Sequence, residues 1–176
     1  VVKELVLHLV LSFFLCSLSW LYVLLFCPEI FRSVSCVPTR GKEHVLQTMD
    51  ALFEAAARHP LLGVLWPAHP SLSALVGDLP SGPPNVRFVH PRPYSVMVDL
   101  LRTSLGVITD SGGLQEEAAT LGVPCVVLRH ATDRPESIAA GVTVLQPPTP
   151  QGMTNAVLTL ATHALSRHPS PCFGSP

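Results

Sequence analysis

Residues 106–145 read GVITDSGGLQEEAATLGVPCVVLRHATDRPESIAAGVTVL, and the order of elements within them decides the fold. Gly106–Thr109 is a short apolar strand that runs directly into Asp110-Ser111-Gly112-Gly113. Gly113–Leu121 then reads as a helix. Pro124–Leu128 is an apolar strand without a polar face, as a strand covered on both sides requires. The charged stretch Arg129–Glu136 follows as a loop, and Val142–Leu145 is a third strand. Strand, helix and strand at this spacing form a βαβ unit, which implies parallel strands and a right-handed crossover.

The alternation continues in both directions. Upstream lie a helix at Tyr94–Thr103, a strand at Val86–Val89, a Gly- and Pro-rich loop at Gly77–Asn85 and a short helix near Ser71–Val76. Before them come a strand at Leu61–Trp66, a helix at Glu43–His59 and a strand at Arg32–Val37. Val45, Leu46, Met49, Leu52, Phe53 and Ala56 share one face of the Glu43–His59 helix. Downstream, Gln151–Ser166 is a last helix. Residues 31–176 therefore predict one α/β domain, a doubly wound Rossmann-like parallel sheet with helices on both faces.

Composition narrows the function. The 176 residues carry a net charge of −1 with 13% charged residues, so there is no basic surface for nucleic acid. Five cysteines, Cys16, Cys27, Cys36, Cys125 and Cys172, are scattered without metal-ligand spacing and read as free thiols of a reducing compartment. Neither a metal nor an organic cofactor is implied. Leu5–Cys27 contains no charged residue and matches the length of a membrane span, so residues 1–30 are expected as an apolar helix. Three readings of it stand side by side: a membrane helix through 5–27, a signal peptide, or a segment foreign to the domain. Lys3 precedes the run, and Arg32, Arg40 and Lys42 follow it, which favours a cytoplasmic domain, membrane-anchored if the helix is genuine.

In an open parallel sheet, ligands sit beyond the carboxyl ends of the strands. Ser111-Gly112-Gly113 occupies such a position at a helix start, where unpaired N–H groups favour an anion by roughly 0.3–1 kcal/mol. Glu117 lies further along the helix, placed to accept from a ribose diol, while Glu116 braces a neighbouring loop or stays in solvent. The plain alternative is that Asp110 and Ser111 cap the helix and the glycines make a turn. Arg129 and Arg134 bring guanidinium groups, which suit phosphate, to the same sheet edge. A surface ion-pair cluster is the equally simple reading of that loop.

The two stretches together resemble the non-hydrolysing UDP-N-acetylglucosamine 2-epimerases. That family shows TDSGG-x-QEEA, then LG-x-P, then R-x-x-T-E/D-RPE and a following AG. Weaker resemblance extends upstream through Tyr94, Pro91 and Trp66-Pro67-Ala68-His69, to cover about residues 33–176, the C-terminal half of a two-domain GT-B enzyme. The resemblance implies that Ser111, Gly112 and Gly113 hold the diphosphate of UDP, that Glu117 holds the ribose, and that Arg134 lies by the phosphates. Met97 stands where an aromatic is expected and would pack on the uracil. His69 falls at a histidine near the substrate or effector pocket. The implied reaction interconverts UDP-GlcNAc and UDP-ManNAc through elimination and re-addition of UDP.

The chain also departs from the family. An HRxE-type motif carries a catalytic histidine there, and counting places that position on Cys36, which cannot serve as an imidazole near neutral pH. The N-terminal domain with its proton-shuttling carboxylates has no counterpart in Val1–Pro38, and Ser170–Pro176 stops inside a family turn, so the chain reads as truncated at both ends. The expectation is a UDP-binding half, inactive alone, that needs the missing N-terminal domain or a partner chain; a homodimer is compatible with it. The alternatives are the UDP-sugar half of a split GT-B glycosyltransferase and a non-catalytic remnant.

Overall fold

A computed structural model gives the architecture over residues 23–26, 33–34, 42–68, 70–90 and 92–162. In chain order the elements are β1 (Val23–Phe26), β2 (Ser33–Val34), α1 (Lys42–Arg58), β3 (Gly63–Pro67) and α2 (Pro70–Val76). Then come β4 (Val86–Val89), α3 (Tyr94–Thr103), β5 (Val107–Thr109) and α4 (Gly112–Leu121). The chain continues with β6 (Cys125–Leu128), α5 (Pro135–Ala139), β7 (Thr143–Gln146) and α6 (Pro150–Ala161). The strands form one sheet in the order β4-β3-β1-β5-β6-β7, with β2 beside β1.

The pairs β3–β4, β5–β6 and β6–β7 are parallel, as the βαβ reading requires. The first strands differ from expectation. β1 takes the place between β3 and β5 and runs antiparallel to both, and β2 lies antiparallel against β1 with Val34 opposite Val23. Of the strand expected over Arg32–Val37, the described residues Ser33–Val34 are strand, and Val23–Phe26, expected as part of an apolar helix, is a strand within the sheet. The physical reason is that a short uninterrupted apolar run serves a doubly covered strand as well as a helix, and periodicity cannot separate the two. Among the described residues no helix is long and apolar enough to cross a membrane. Residues 1–22, Cys27, Cys36, His69 and Cys172 lie outside the described residues, and with them most of the apolar run.

Both faces of the sheet are covered, and the strands show it by strict alternation. Ile108 of β5 and Val126 and Leu128 of β6 join Val64 and Trp66 of β3 in a core closed by α1, α2 and α6. Val107, Cys125 and Val127 point the other way, against Leu101 of α3 and Leu114 and Ala118 of α4. Each such fully buried side chain is worth about 1.5–3 kcal/mol over an exposed one. On α1, Val45, Met49, Leu52 and Ala56 are buried as the spacing predicts. Leu46 and Phe53 are only partly covered, and Thr48 is buried with them because its hydroxyl bonds back to the His44 carbonyl at 2.8 Å.

The helix ends follow local chemistry. Ser111 caps α4, and Gly122 closes it at φ 67°, where its amide meets the carbonyls of Ala118 and Ala119. Thr149 caps α6 by accepting from the Gly152 amide at 3.1 Å, with Pro150 at the first helical position. The stretch expected as a loop over Arg129–Glu136 runs into the short α5, because Pro135 at its first position holds the φ a helix needs.

Candidate functional site

Strand order reverses at β1: β3 and β4 lie to one side, and β5, β6 and β7 to the other. Ligands of open α/β sheets bind at such a switch point, outside the carboxyl ends of the strands. β5 delivers Asp110-Ser111-Gly112-Gly113 to that place.

The α4 N-terminus is built from the residues upward. The Thr109 hydroxyl accepts from the Ser111 amide at 2.9 Å, which turns the chain out of the strand. Ser111 Oγ then accepts from the Leu114 amide at 3.5 Å, and its carbonyl accepts from the Gln115 amide at 3.1 Å. The amides of Gly112 and Gly113 are left without an acceptor among the described residues. Nothing among the described residues requires these two glycines. A Cβ on Gly112 would meet nothing within 4 Å, and one on Gly113 would touch only Ser111 Oγ at 3.9 Å. Neither residue has a positive φ. The space they leave is open to an incoming group, and the bare amides face it with the positive end of the helix dipole.

The charged loop after β6 is fastened to this helix by side chains that the sequence reading did not single out. Gln115 is fully buried. Its Nε2 donates to the Arg134 carbonyl at 3.0 Å and to Ser137 Oγ at 2.6 Å, and its Oε1 accepts from Thr132 Oγ1 at 2.6 Å. Thr132 Oγ1 also accepts from the Arg134 amide at 3.1 Å. Next to this lock, Arg134 Nε pairs with Glu116 Oε1, which holds the guanidinium above its ordinary pKa. Glu116 therefore braces the loop. Arg129 pairs with Asp133 at 3.5 Å in the exposed part of the same loop.

Two further carboxyls give the site its electrostatics. Asp110 is 8% exposed, and its Oδ1 is buried without a hydrogen-bond partner among the described residues. Burial pushes it up to about 7, against the lowering effects of its own backbone amide and of Arg129. Asp110 is therefore no helix cap; Ser111 alone fills that role. Glu117 is raised to about 7 by burial and by the neighbouring charge of Glu116. Tyr94, at the start of α3, is raised to about 12 by burial and by the Glu117 charge. α3 and α4 thus bring a phenol within electrostatic reach of a carboxyl.

Ser111, Gly112, Gly113 and Glu117 share one helix, and Arg134 is tied to that helix through Glu116. Met97 is partly buried against Leu65 with Val89 and Leu100, on the α3 side of the sheet. His69 and Cys36 lie outside the described residues. Among the described residues no group of His, Cys, Asp or Glu could hold a metal ion. The Gln115 lock had one signal available in sequence, a glutamine between two helical apolar positions followed by hydroxyls at Thr132 and Ser137, but nothing in that pattern names the partners. Cys125 is a buried free thiol, pushed up to about 12 by burial, and takes no part in the site.

The sequence model of a family described as UDP-N-acetylglucosamine 2-epimerase matches residues 37–175. The UDP-N-acetylglucosamine 2-epimerase of Yersinia pestis is 36% identical over 121 residues, which cover 68% of this chain and 32% of that protein. A Listeria monocytogenes protein provisionally named as the same enzyme superposes with a TM-score of 0.66 at 28% identity, over 80% of this chain and 40% of its own. The Neisseria meningitidis UDP-GlcNAc 2-epimerase, solved bound to UDP-GlcNAc, superposes with a TM-score of 0.57 at 26% identity, over 74% of this chain and 37% of its own. The chain thus spans about a third of the length of the Yersinia relative, which has a substantial part with no match here.

Proposed function

The chain belongs to the UDP-N-acetylglucosamine 2-epimerase family, and we propose that it is the half of such an enzyme that holds the UDP part of UDP-GlcNAc or UDP-ManNAc. The observation that carries the proposal is the N-terminus of α4. Two glycines with bare amides stand there at the switch point of the sheet, and no contact among the described residues accounts for their lack of side chains. In this reading Ser111, Gly112 and Gly113 receive the diphosphate, and Glu117 accepts from the ribose diol. Met97 offers a thioether for the uracil face, and His69 belongs to the substrate or effector pocket.

The reaction is an isomerisation at the sugar in which UDP leaves and returns. A half that grips UDP keeps the leaving group in place between the two steps, so that re-addition outruns escape. Charge develops on the departing diphosphate, and the α4 amides supply a fixed dipole for it without reorganisation. The sugar's own proton transfers require groups from a further domain, on the same polypeptide or on a partner chain. The 176 residues alone bind nucleotide without turning over substrate.

The test is a calorimetric titration of the 176-residue chain with UDP and with 2′-deoxy-UDP. Saturable UDP binding is expected, weaker for the deoxy compound, with that preference abolished in Glu117→Ala. A folded chain with no saturable UDP binding would sink the proposal, and equal affinity for both nucleotides would remove the role of Glu117.

A further inference from the structure

Arg134 is held more firmly than a surface ion pair needs. Its carbonyl accepts from Gln115 Nε2 and from Ser137 Oγ, each at 3.0 Å, and its amide donates to Thr132 at 3.1 Å. Its side chain is held at two of its three nitrogens: Nε donates to Glu116, and Nη1 donates to the Asp133 carbonyl at 3.0 Å. A guanidinium has five N–H groups. The others, including both on Nη2, find no acceptor among the described residues, although the side chain is only 39% exposed. The Arg58–Glu54 pair offers a contrast: there the side chains are 64% and 70% exposed, as a solvated pair should be.

We propose that Gln115 and Glu116 are positioning residues for Arg134. They fix its backbone and its Nε so that the open Nη2 group meets the diphosphate carried on the Gly112 and Gly113 amides. This rests on the UDP reading above and adds to it how the arginine is aimed. Gln115 is too deeply buried to meet a ligand, and Glu116, a carboxylate, would repel phosphate unless neutralised. Both act through Arg134. A pre-set guanidinium loses little freedom on binding, and its planar fork can serve a carboxylate on one edge and a phosphate on the other. Lysine, a point charge on a flexible stem, has no rigid fork to hold both contacts in a fixed geometry.

The experiment compares UDP with uridine on the 176-residue chain, by calorimetry and ligand-observed NMR, with thermal unfolding as a control of the fold. Glu116→Gln keeps the shape and removes the charge. It is expected to weaken UDP about tenfold, the loss of one charge-assisted contact, while uridine affinity stays within about twofold. Arg134→Lys should fall to the same level, and the double variant no further, because both changes remove one device. Gln115→Leu should show the same selectivity for the phosphate-bearing ligand; if that variant does not fold, Glu116→Gln decides alone. Unchanged or tighter UDP binding by Glu116→Gln overturns the proposal, as does an equal loss for UDP and uridine. A wild-type chain that binds no UDP removes both readings. One that binds UDP but is indifferent to Glu116→Gln removes only this one.

Discussion

Thr132 donates its hydroxyl to the carboxamide of Gln115 at 2.6 Å, so a loop beyond β6 and the first turns of α4 are a single unit. Two stretches of sequence, TDSGGLQEEA and RHATDRPES, meet through that contact. Their side chains converge on one polar cluster inside an otherwise apolar layer, and a buried network of this kind is sound only while every member is satisfied.

Gln115→Leu tests that cluster as a stability element. The change takes one partner each from Thr132 Oγ1, Ser137 Oγ and the Arg134 carbonyl, leaving only the Ser137–Arg134 and Arg134–Thr132 bonds between them. Losing a buried partner costs about 1–3 kcal/mol for each group that water cannot reach. With partial solvent relief, a loss of about 2–4 kcal/mol is expected, read as a lower urea midpoint at unchanged slope. A midpoint within experimental error of wild type would show that the network is idle.

Asp110 makes stability depend on pH with a definite sign. Its carboxyl titrates at about 7 in the folded chain, against about 3.9 unfolded. The folded state therefore binds the proton more tightly than the unfolded state. The stabilising contribution is complete below about pH 4 and is lost as pH rises to about 7, by at most about 1.4 kcal/mol per pH unit. Asp110→Asn removes this dependence and should be more stable than wild type at pH 8, with the advantage shrinking towards pH 4. Glu117, also raised, keeps a residual slope in the same direction. Urea midpoints for both chains across that window are the measurement, and parallel curves would exclude a titrating Asp110.

The sheet and its helices were legible because their signals are local. Apolar alternation, a serine before a helix, and a glycine after one carry their meaning within a few residues, so α3 and β4 have the limits the sequence predicts. Val23–Phe26 was misread because its partners, Val64 and Ile108, lie far along the chain and leave no local mark. The same holds for the site. Ser111, Gly112 and Gly113 could be found from one stretch, whereas the pairing of Glu116 with Arg134 depends on how α4 packs against the loop after β6. The resemblance implies that Arg134 lies near the phosphates, and its anchoring on Glu116 arises only in the folded chain.

Asn85 gives a further example, since the sequence offers it only as the end of a Gly- and Pro-rich loop. Its Nδ2 reaches the carbonyls of Ala56 at 2.9 Å, His59 at 3.3 Å and Leu62 at 2.7 Å, which clasps the end of α1 to the start of β3. Orphan carbonyls at a helix end need such a donor. Asn85→Ala should cost about 1–3 kcal/mol in urea unfolding, and Asn85→Asp at least as much, because a carboxylate would face three carbonyl oxygens. UDP affinity measured on folded protein should be unaffected by either, since the clasp lies at the opposite end of β3 from the candidate site.

Gly112→Ala separates folding from binding most directly. A Cβ at this position meets nothing within 4 Å, and the backbone is helical, so the substitution adds no clash. Alanine also lowers the entropy of the unfolded chain, and a gain of about 0–1 kcal/mol in stability is expected. On the proposed reading, the same methyl takes up open space at the start of α4 that a diphosphate on the Gly112 and Gly113 amides would need. Lengthening those hydrogen bonds by a few tenths of an ångström should weaken UDP about tenfold or more, roughly 1.4 kcal/mol. A protein that is as stable as wild type and binds UDP poorly is the signature of a glycine kept for its ligand. If Gly112→Ala binds UDP as wild type does, the open space at the start of α4 is not where the diphosphate sits.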